Sequence, residues 1–168
     1  MSDAAIVVRR ATAADEAGLG RLGAQLTRLH YEFDRDRFVA PGENIEAGYG
    51  RFLVSQLAKP DDVVFVAERD GTVVGYVWGG IEPRSWKELR DTAGFIHDVF
   101  VDESARGTGT GQRLVEAAAA WLVERGAPRI MLWTAEKNEA AQKLFARIGF
   151  RRTMIEMTRS GRPRARIY

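Results

Sequence analysis

The sequence predicts a single α/β domain in which a mixed, mostly antiparallel central sheet is flanked by about four helices. Three observations lead there. Short apolar runs and longer helical periodicities follow one another in the order β-α-α-β-β-β-α-β-α-β. Asp70-Gly71 stands between two apolar runs as a hairpin turn, which makes those strands antiparallel neighbours. Further along, a helix separates two strands, and a helical crossover makes a parallel pair. At 168 residues the chain has the size of one domain with a real core. No repeat, low-complexity block or linker divides it, so 1–158 reads as the domain and 159–168 as a basic C-terminal tail.

The elements follow in order. Ile6 to Arg9 is a first strand. Thr12 with Asp15 resembles a capping box, and Leu19, Leu22, Leu26 and Leu29 give the helix behind it one apolar face. After Pro41-Gly42, Ile45, Tyr49, Phe52, Leu53 and Leu57 suggest a second helix, which Pro60 stops. Val63 to Ala67 and Thr72 to Trp78 form the hairpin, and Gly79-Gly80 ends or bulges its second strand. An irregular loop, 82–94, leads into the apolar strand from Phe95 to Val101. A glycine-rich loop then opens a helix over 112–125, whose Leu114, Val115, Ala118, Trp121 and Leu122 share a side. Ile130 to Trp133 is a buried strand. Asn138 is an N-cap for a helix with Ala141, Leu144, Phe145 and Ile148 on one face, stopped by Gly149. Phe150 to Thr158 is expected as a last strand.

Composition narrows the classes. Hydrophobic residues make up 45% and charged residues 29%, ordinary for a soluble globular chain. No apolar run approaches the roughly 20 residues that span a bilayer, and the N-terminus lacks the pattern of a signal peptide. A cytoplasmic protein without membrane contact is the expectation. The absence of cysteine removes disulfides, thiolate metal sites and a cysteine nucleophile, and no metal is expected. The net charge is only +2, with Arg159, Arg162, Arg164 and Arg166 concentrated around Pro163. Without interleaved aromatics this reads as a solvated tail rather than a nucleic-acid arm.

The chemistry-bearing stretch is Arg106-Gly107-Thr108-Gly109-Thr110-Gly111. Glycines at alternate positions before a helix expose several N–H groups to one point, where the helix dipole favours an anion such as a phosphate. A Walker loop is excluded by spacing and by the missing lysine. A dinucleotide fingerprint would need glycine where Gln112 stands, and an early βαβ position. Glu136, placed where a ribose-binding acid would sit, keeps an NAD-binding module as the weaker alternative.

The loop resembles the acyl-CoA loop of the GCN5-related N-acetyltransferase (GNAT) superfamily, Gln/Arg-x-x-Gly-x-Gly/Ala. A second block, Asn138 to Phe150, is similar to that family's Asn-x-x-Ala-x-x-Leu-Tyr-x-x-x-Gly-Phe. Both blocks are correctly ordered, and the element order from Ile6 to Thr158 matches the family fold. The resemblance implies acetyl-CoA as co-substrate, with the amides of Gly107, Thr108, Gly109, Thr110, Gly111 and Gln112 around its pyrophosphate and Arg106 adding charge. It implies that Val99, Phe100 and Val101 lie on a splayed strand that pairs with the pantetheine arm. In that picture the Val99 amide polarises the thioester carbonyl, and Asn138 contacts the CoA arm, although its N-cap role alone would explain it.

The acceptor, a small-molecule or peptide amine, sets the chemical problem. An alkylamine with pKa near 10.4 is only about 0.04% neutral at pH 7, so deprotonation costs roughly 4–5 kcal/mol. His97, with an ordinary pKa of about 6.5, suits general-base work. Asp98 either orients substrate or pairs with an arginine, and Glu68 and Glu82 are reserve bases. Strand alternation is expected to turn His97 and Asp98 to opposite faces. Phe145 departs from the family, which often places tyrosine there to protonate the leaving thiolate. Protonating a thiolate of pKa about 8.5 at pH 7 supplies only about 2 kcal/mol. Acceptor recognition is assigned to 30–36, with His30, Tyr31, Glu32, Asp34 and Asp36, and to the loop carrying Trp86. A solvated charged loop explains those residues equally well. The expected activity is direct acetyl transfer to a primary amine in a ternary complex. A catalytically silent acyl-CoA-binding domain stays open through Phe145, and a homodimer is compatible with the sequence.

Overall fold

In the computed structural model residues 5–161 are described. The tail residues Arg162, Arg164 and Arg166 lie outside them. The elements are β1 (Val7–Arg10), a 3-10 turn (Ala13–Asp15), α1 (Glu16–Phe33), α2 (Ile45–Gln56), β2 (Asp62–Arg69), β3 (Thr72–Glu82) and β4 (Ala93–Val101). After a second 3-10 turn (Glu103–Ala105) come α3 (Thr110–Glu124), β5 (Ile130–Leu132) and α4 (Glu139–Arg147).

The five strands lie in sequence order. The first four are antiparallel neighbours, and β5 joins β4 in parallel through the α3 crossover. Two helical layers cover the sheet because the strands alternate between two buried faces. One face carries Val77 and Ile96 against Leu114, Ala118 and Leu122 of α3 and Phe145 of α4. The other carries Val64, Val66, Tyr76 and Phe100 against Leu19, Leu22 and Leu53 of α1 and α2.

Thr12 and Asp15 meet as the sequence suggests, with the Thr12 N–H donating to the Asp15 carboxylate at 2.8 Å. The same carboxylate accepts both Nη groups of Arg9, at 2.8 and 2.9 Å, tying β1 to the start of α1. Helices α1 and α2 approach closely because glycines face the contact. A Cβ on Gly20 would stand 2.2 Å from the Glu46 carbonyl oxygen, and one on Gly23 would stand 2.1 Å from the Tyr49 ring.

One expected element does not form. Phe150 to Thr158 is irregular, and 151–160 are exposed. The segment carries apolar residues, but β5 is three residues long and offers no matching edge. Met154, Ile155 and Met157 therefore face solvent, while Glu156 pairs with Arg37 after α1.

Candidate active site

The site begins where β4 and β5 part. They pair only through Gly94, Phe95 and Ile96, so 97–101 continue without a partner strand on that side among the described residues. The Asp102 N–H donates to the Val74 carbonyl at 2.8 Å. This fixes Tyr76/Phe100 as a hydrogen-bonded pair and Val77/Val99 and Gly75/Val101 as non-bonded pairs. The N–H and C=O of Val99 and Val101 consequently point away from β3, toward the open edge. Phe100 is bonded back to β3 and buries its ring in the α1–α2 face. Arg106 closes the end of this edge: its Nε donates to the Val101 carbonyl at 3.1 Å, and its guanidinium lies 5.6 Å from the Phe100 ring centroid.

The loop continues into α3. Gly107 and Gly109 have φ of +75° and +79°, a left-handed backbone that other residues adopt at a cost. The first intrahelical bond runs from the Arg113 N–H to the Gly109 carbonyl. The amides of Thr110, Gly111 and Gln112 thus precede the helix's own ladder, with the positive end of its dipole behind them. Thr108 Oγ1 bonds the Ala105 carbonyl and lies 2.7 Å from Thr110 Oγ1, bracing the turn. Gly111 also lies against the second motif block: a Cβ there would stand 3.2 Å from the Leu144 side chain in α4. The two motif blocks therefore touch.

The expected geometry of His97 and Asp98 requires correction. Trp78 pairs with Asp98 but Gly79 pairs with Ile96, so His97 is the extra residue of a β-bulge. The bulge breaks the alternation and puts both side chains on the α1–α2 face. There Asp98 is partly buried and accepts the hydroxyls of Tyr49 and Tyr76. Burial pushes its carboxyl above the usual aspartate range, against the opposing effect of the Tyr49 hydrogen bond and nearby His97 and His30. Burial and the Asp98 charge push both tyrosine hydroxyls upward, so both stay protonated and can donate to Asp98.

His97 lies between two aromatic rings, Trp78 at 4.2 Å and Phe95 stacked at 5.3 Å. Its imidazole is lowered from its ordinary pKa, chiefly by burial, with Glu82 the largest opposing influence. A neutral ring at neutral pH is the form that accepts a proton. Of the reserve bases, Glu82 is beside it, with Oε1 3.7 Å from His97 Nε2. Glu68 is instead bound to Arg9 at 2.8 Å, near β1.

The remaining predicted residues are structurally occupied to different degrees. The Asn138 side chain accepts the Ala141 N–H at 3.2 Å, a cap of α4. Gln112 bonds Glu116 on its own helix. Phe145 packs in the α3–α4 core against Phe150. His30 donates Nδ1–H to the Leu26 carbonyl, and the Asp34 carboxylate accepts the amides of Asp36 and Arg37. Tyr31 meets Arg35. Glu32 and Asp36 are exposed, as is Trp86 on a turn closed by the Ser85–Arg90 bridge. Tyr49, Tyr76 and Trp78 were not among the sequence candidates. Their only signals were Gly79-Gly80, where the bulge occurs, and Gly23, which admits the Tyr49 ring. Among the described residues no cluster of potential ligands could hold a metal ion, and no helix is long and apolar enough to cross a membrane.

The sequence profile of the acetyltransferase (GNAT) family matches residues 26–150. The chain belongs to this family. A mycothiol acetyltransferase of Thermomonospora curvata is 35% identical over 94 residues, which are 56% of this chain and 29% of that relative. The chain thus spans less than a third of that relative's length. Among solved structures, a mutant of the BH1408 protein of Bacillus halodurans superposes with a TM-score of 0.78 at 21% identity, covering 92% of this chain and 99% of the other. The aminoglycoside N-acetyltransferase AAC(6')-Iy in complex with CoA gives 0.70 at 18% identity, with 98% of each chain covered. At these identities the structures establish the shared GNAT fold.

Proposed function

We propose that this chain is an acetyl-CoA-dependent N-acetyltransferase that acts on a primary amine by direct attack in a ternary complex. The observation that carries the reading is the unbroken path from the open β4 edge, with the Val99 amide turned outward, into the glycine turn and the free amides of α3. An extended pantetheine arm can add to the edge as a strand would, through the Val99 and Val101 backbone groups. A pyrophosphate fits the cradle of Gly107, Thr108, Gly109, Thr110, Gly111 and Gln112, with Arg106 supplying charge and Asn138 flanking the arm. The Val99 N–H stabilises the oxyanion that forms as the carbonyl is attacked.

In the transfer, the ammonium first gives one proton to His97. The neutral nitrogen then bonds to the carbonyl carbon, the C–S bond breaks, and the second nitrogen proton leaves to solvent. CoA leaves as a thiolate and takes its proton from water, since Phe145 has none to give. Asp98, fixed by two tyrosines, contributes negative potential that holds a cationic amine near His97. The names of the mycothiol and aminoglycoside enzymes support a small polar amine as acceptor. Phe145 favours the second reading, an acyl-CoA-binding domain without turnover.

Thermal shifts with acetyl-CoA, CoA and NAD, followed by thiol release on a panel of amines and peptides, separate these readings. Stabilisation by both CoA species, at about 2.7 kcal/mol when the ligand is at a hundredfold its dissociation constant, and thiol release with a small amine are expected. Stabilisation by NAD alone overturns the donor assignment, and CoA binding without thiol release across the panel favours the silent domain.

A further inference from the structure

The loop between β3 and β4 contains a buried arginine that the transfer chemistry leaves unused. The Arg90 side chain is only 6% exposed. Its Nη2 donates to Glu82 Oε2 at 2.7 Å and its Nε to Glu88 Oε2 at 2.7 Å. Its Nη1 donates to the carbonyls of Pro83 and Asp91, each at 3.2 Å. A guanidinium so enclosed has a fixed fork, and it fixes what it holds. It takes one oxygen of Glu82 and leaves the other, Oε1, facing His97 Nε2 at 3.7 Å. The imidazole plane is itself set by Trp78 and Phe95, and Arg90 lies 5.9 Å from the Phe95 ring centroid.

We propose that Glu82, held by Arg90, is a positioning residue that keeps the His97 proton on Nε2 and leaves Nδ1 to take the proton of the acceptor amine. This rests on His97 being the base in the reading above. A carboxylate facing one ring nitrogen favours the tautomer protonated there and stabilises the imidazolium that forms when the other nitrogen is protonated. Arg90 prevents Glu82 from rotating away or taking the proton itself. The charged groups around His97 are Glu82 from β3, Asp98 from its own strand, Asp62 from β2 and Lys59 from the segment after α2. Among them Glu82 has the largest effect.

The chain has two histidines, so long-range proton–nitrogen NMR resolves both, and a His30→Gln variant assigns them without activity being needed. In the full chain the neutral His97 is expected as the Nε2–H tautomer. Glu82→Gln, which is isosteric and leaves Arg90 an acceptor, should lower the His97 titration midpoint by about 0.5–1 unit, as expected for one charge at this distance. The acidic limb of kcat/KM should move by the same amount, and Glu82→Asp should restore much of the shift. A Nδ1–H tautomer, or a His97 midpoint indifferent to Glu82→Gln, overturns the proposal. Thiol release by the unmodified protein judges the transferase reading separately.

Discussion

Asp98 shows how a single residue can be placed against its own stability. Its carboxyl is raised by burial despite two tyrosine donors, so the native state holds its proton more tightly than the unfolded chain does. Stability linked to this group is full below the unfolded value of about 3.9 and is lost as pH rises through the higher native value. Asp98→Asn removes the charge and keeps an oxygen for the tyrosines. It should melt higher than the parent near pH 7, with the difference shrinking as pH falls toward 4 and the Asp98 carboxyl takes up its proton. A melting-temperature difference that does not grow with pH between 4 and 7 would refute this. Turnover should fall in the same variant at saturating acetyl-CoA, because the negative potential beside His97 goes with the charge. The sequence identified His97 and Asp98 as a pair but not their common face, since alternation is a rule about regular strands. The exception came from one inserted residue opposite Trp78 and Gly79.

At the scale of elements, the contact between α1 and α2 makes opposite predictions for two glycines. Gly23 is closed over by the Tyr49 ring, whose hydroxyl is anchored on Asp98 and cannot swing aside freely. Alanine there gains up to about 1 kcal/mol of helix propensity but meets an overpacking cost of about 1–3 kcal/mol. Gly23→Ala should therefore destabilise by about 1–2 kcal/mol in urea unfolding and loosen the Tyr49–Asp98 contact. Gly48 in α2 is exposed, and a Cβ there meets nothing within 4 Å. Gly48→Ala should stabilise by about 0.5–1 kcal/mol. Equal effects of the two substitutions would show that the close approach is not what the glycines are for. Helices α1 and α2 and the hairpin were legible because period, caps and turn residues are local properties. The fate of Phe150 to Thr158 was not, because a short apolar-bearing segment becomes a strand only where a neighbouring edge of sufficient length exists.

For the molecule as a whole, one sheet shared between two cores predicts joint loss of both. Leu114 of α3 and Leu22 of α1 are both fully buried, on opposite faces. The three central strands, β2, β3 and β4, serve both faces: Val63 and Val64 are consecutive in β2 and belong to different cores. Loss of either helix face therefore exposes the back of strands that the other face needs. Leu22→Ala and Leu114→Ala should each cost about 2–5 kcal/mol, lowering the melting temperature by roughly 2–4 °C per kcal/mol in a chain of this size. Each should retain one cooperative transition, coincident by far-UV and near-UV circular dichroism. Two separable transitions in either variant would mean that the α1–α2 layer unfolds by itself. The same coupling makes donor binding a global event. Acetyl-CoA seated on the β4 edge and the α3 amides should raise the melting point of the Leu22→Ala variant as much as that of Leu114→Ala, although Leu22 lies on the far side of the sheet. A ligand effect confined to the Leu114→Ala variant would show that the two cores respond independently.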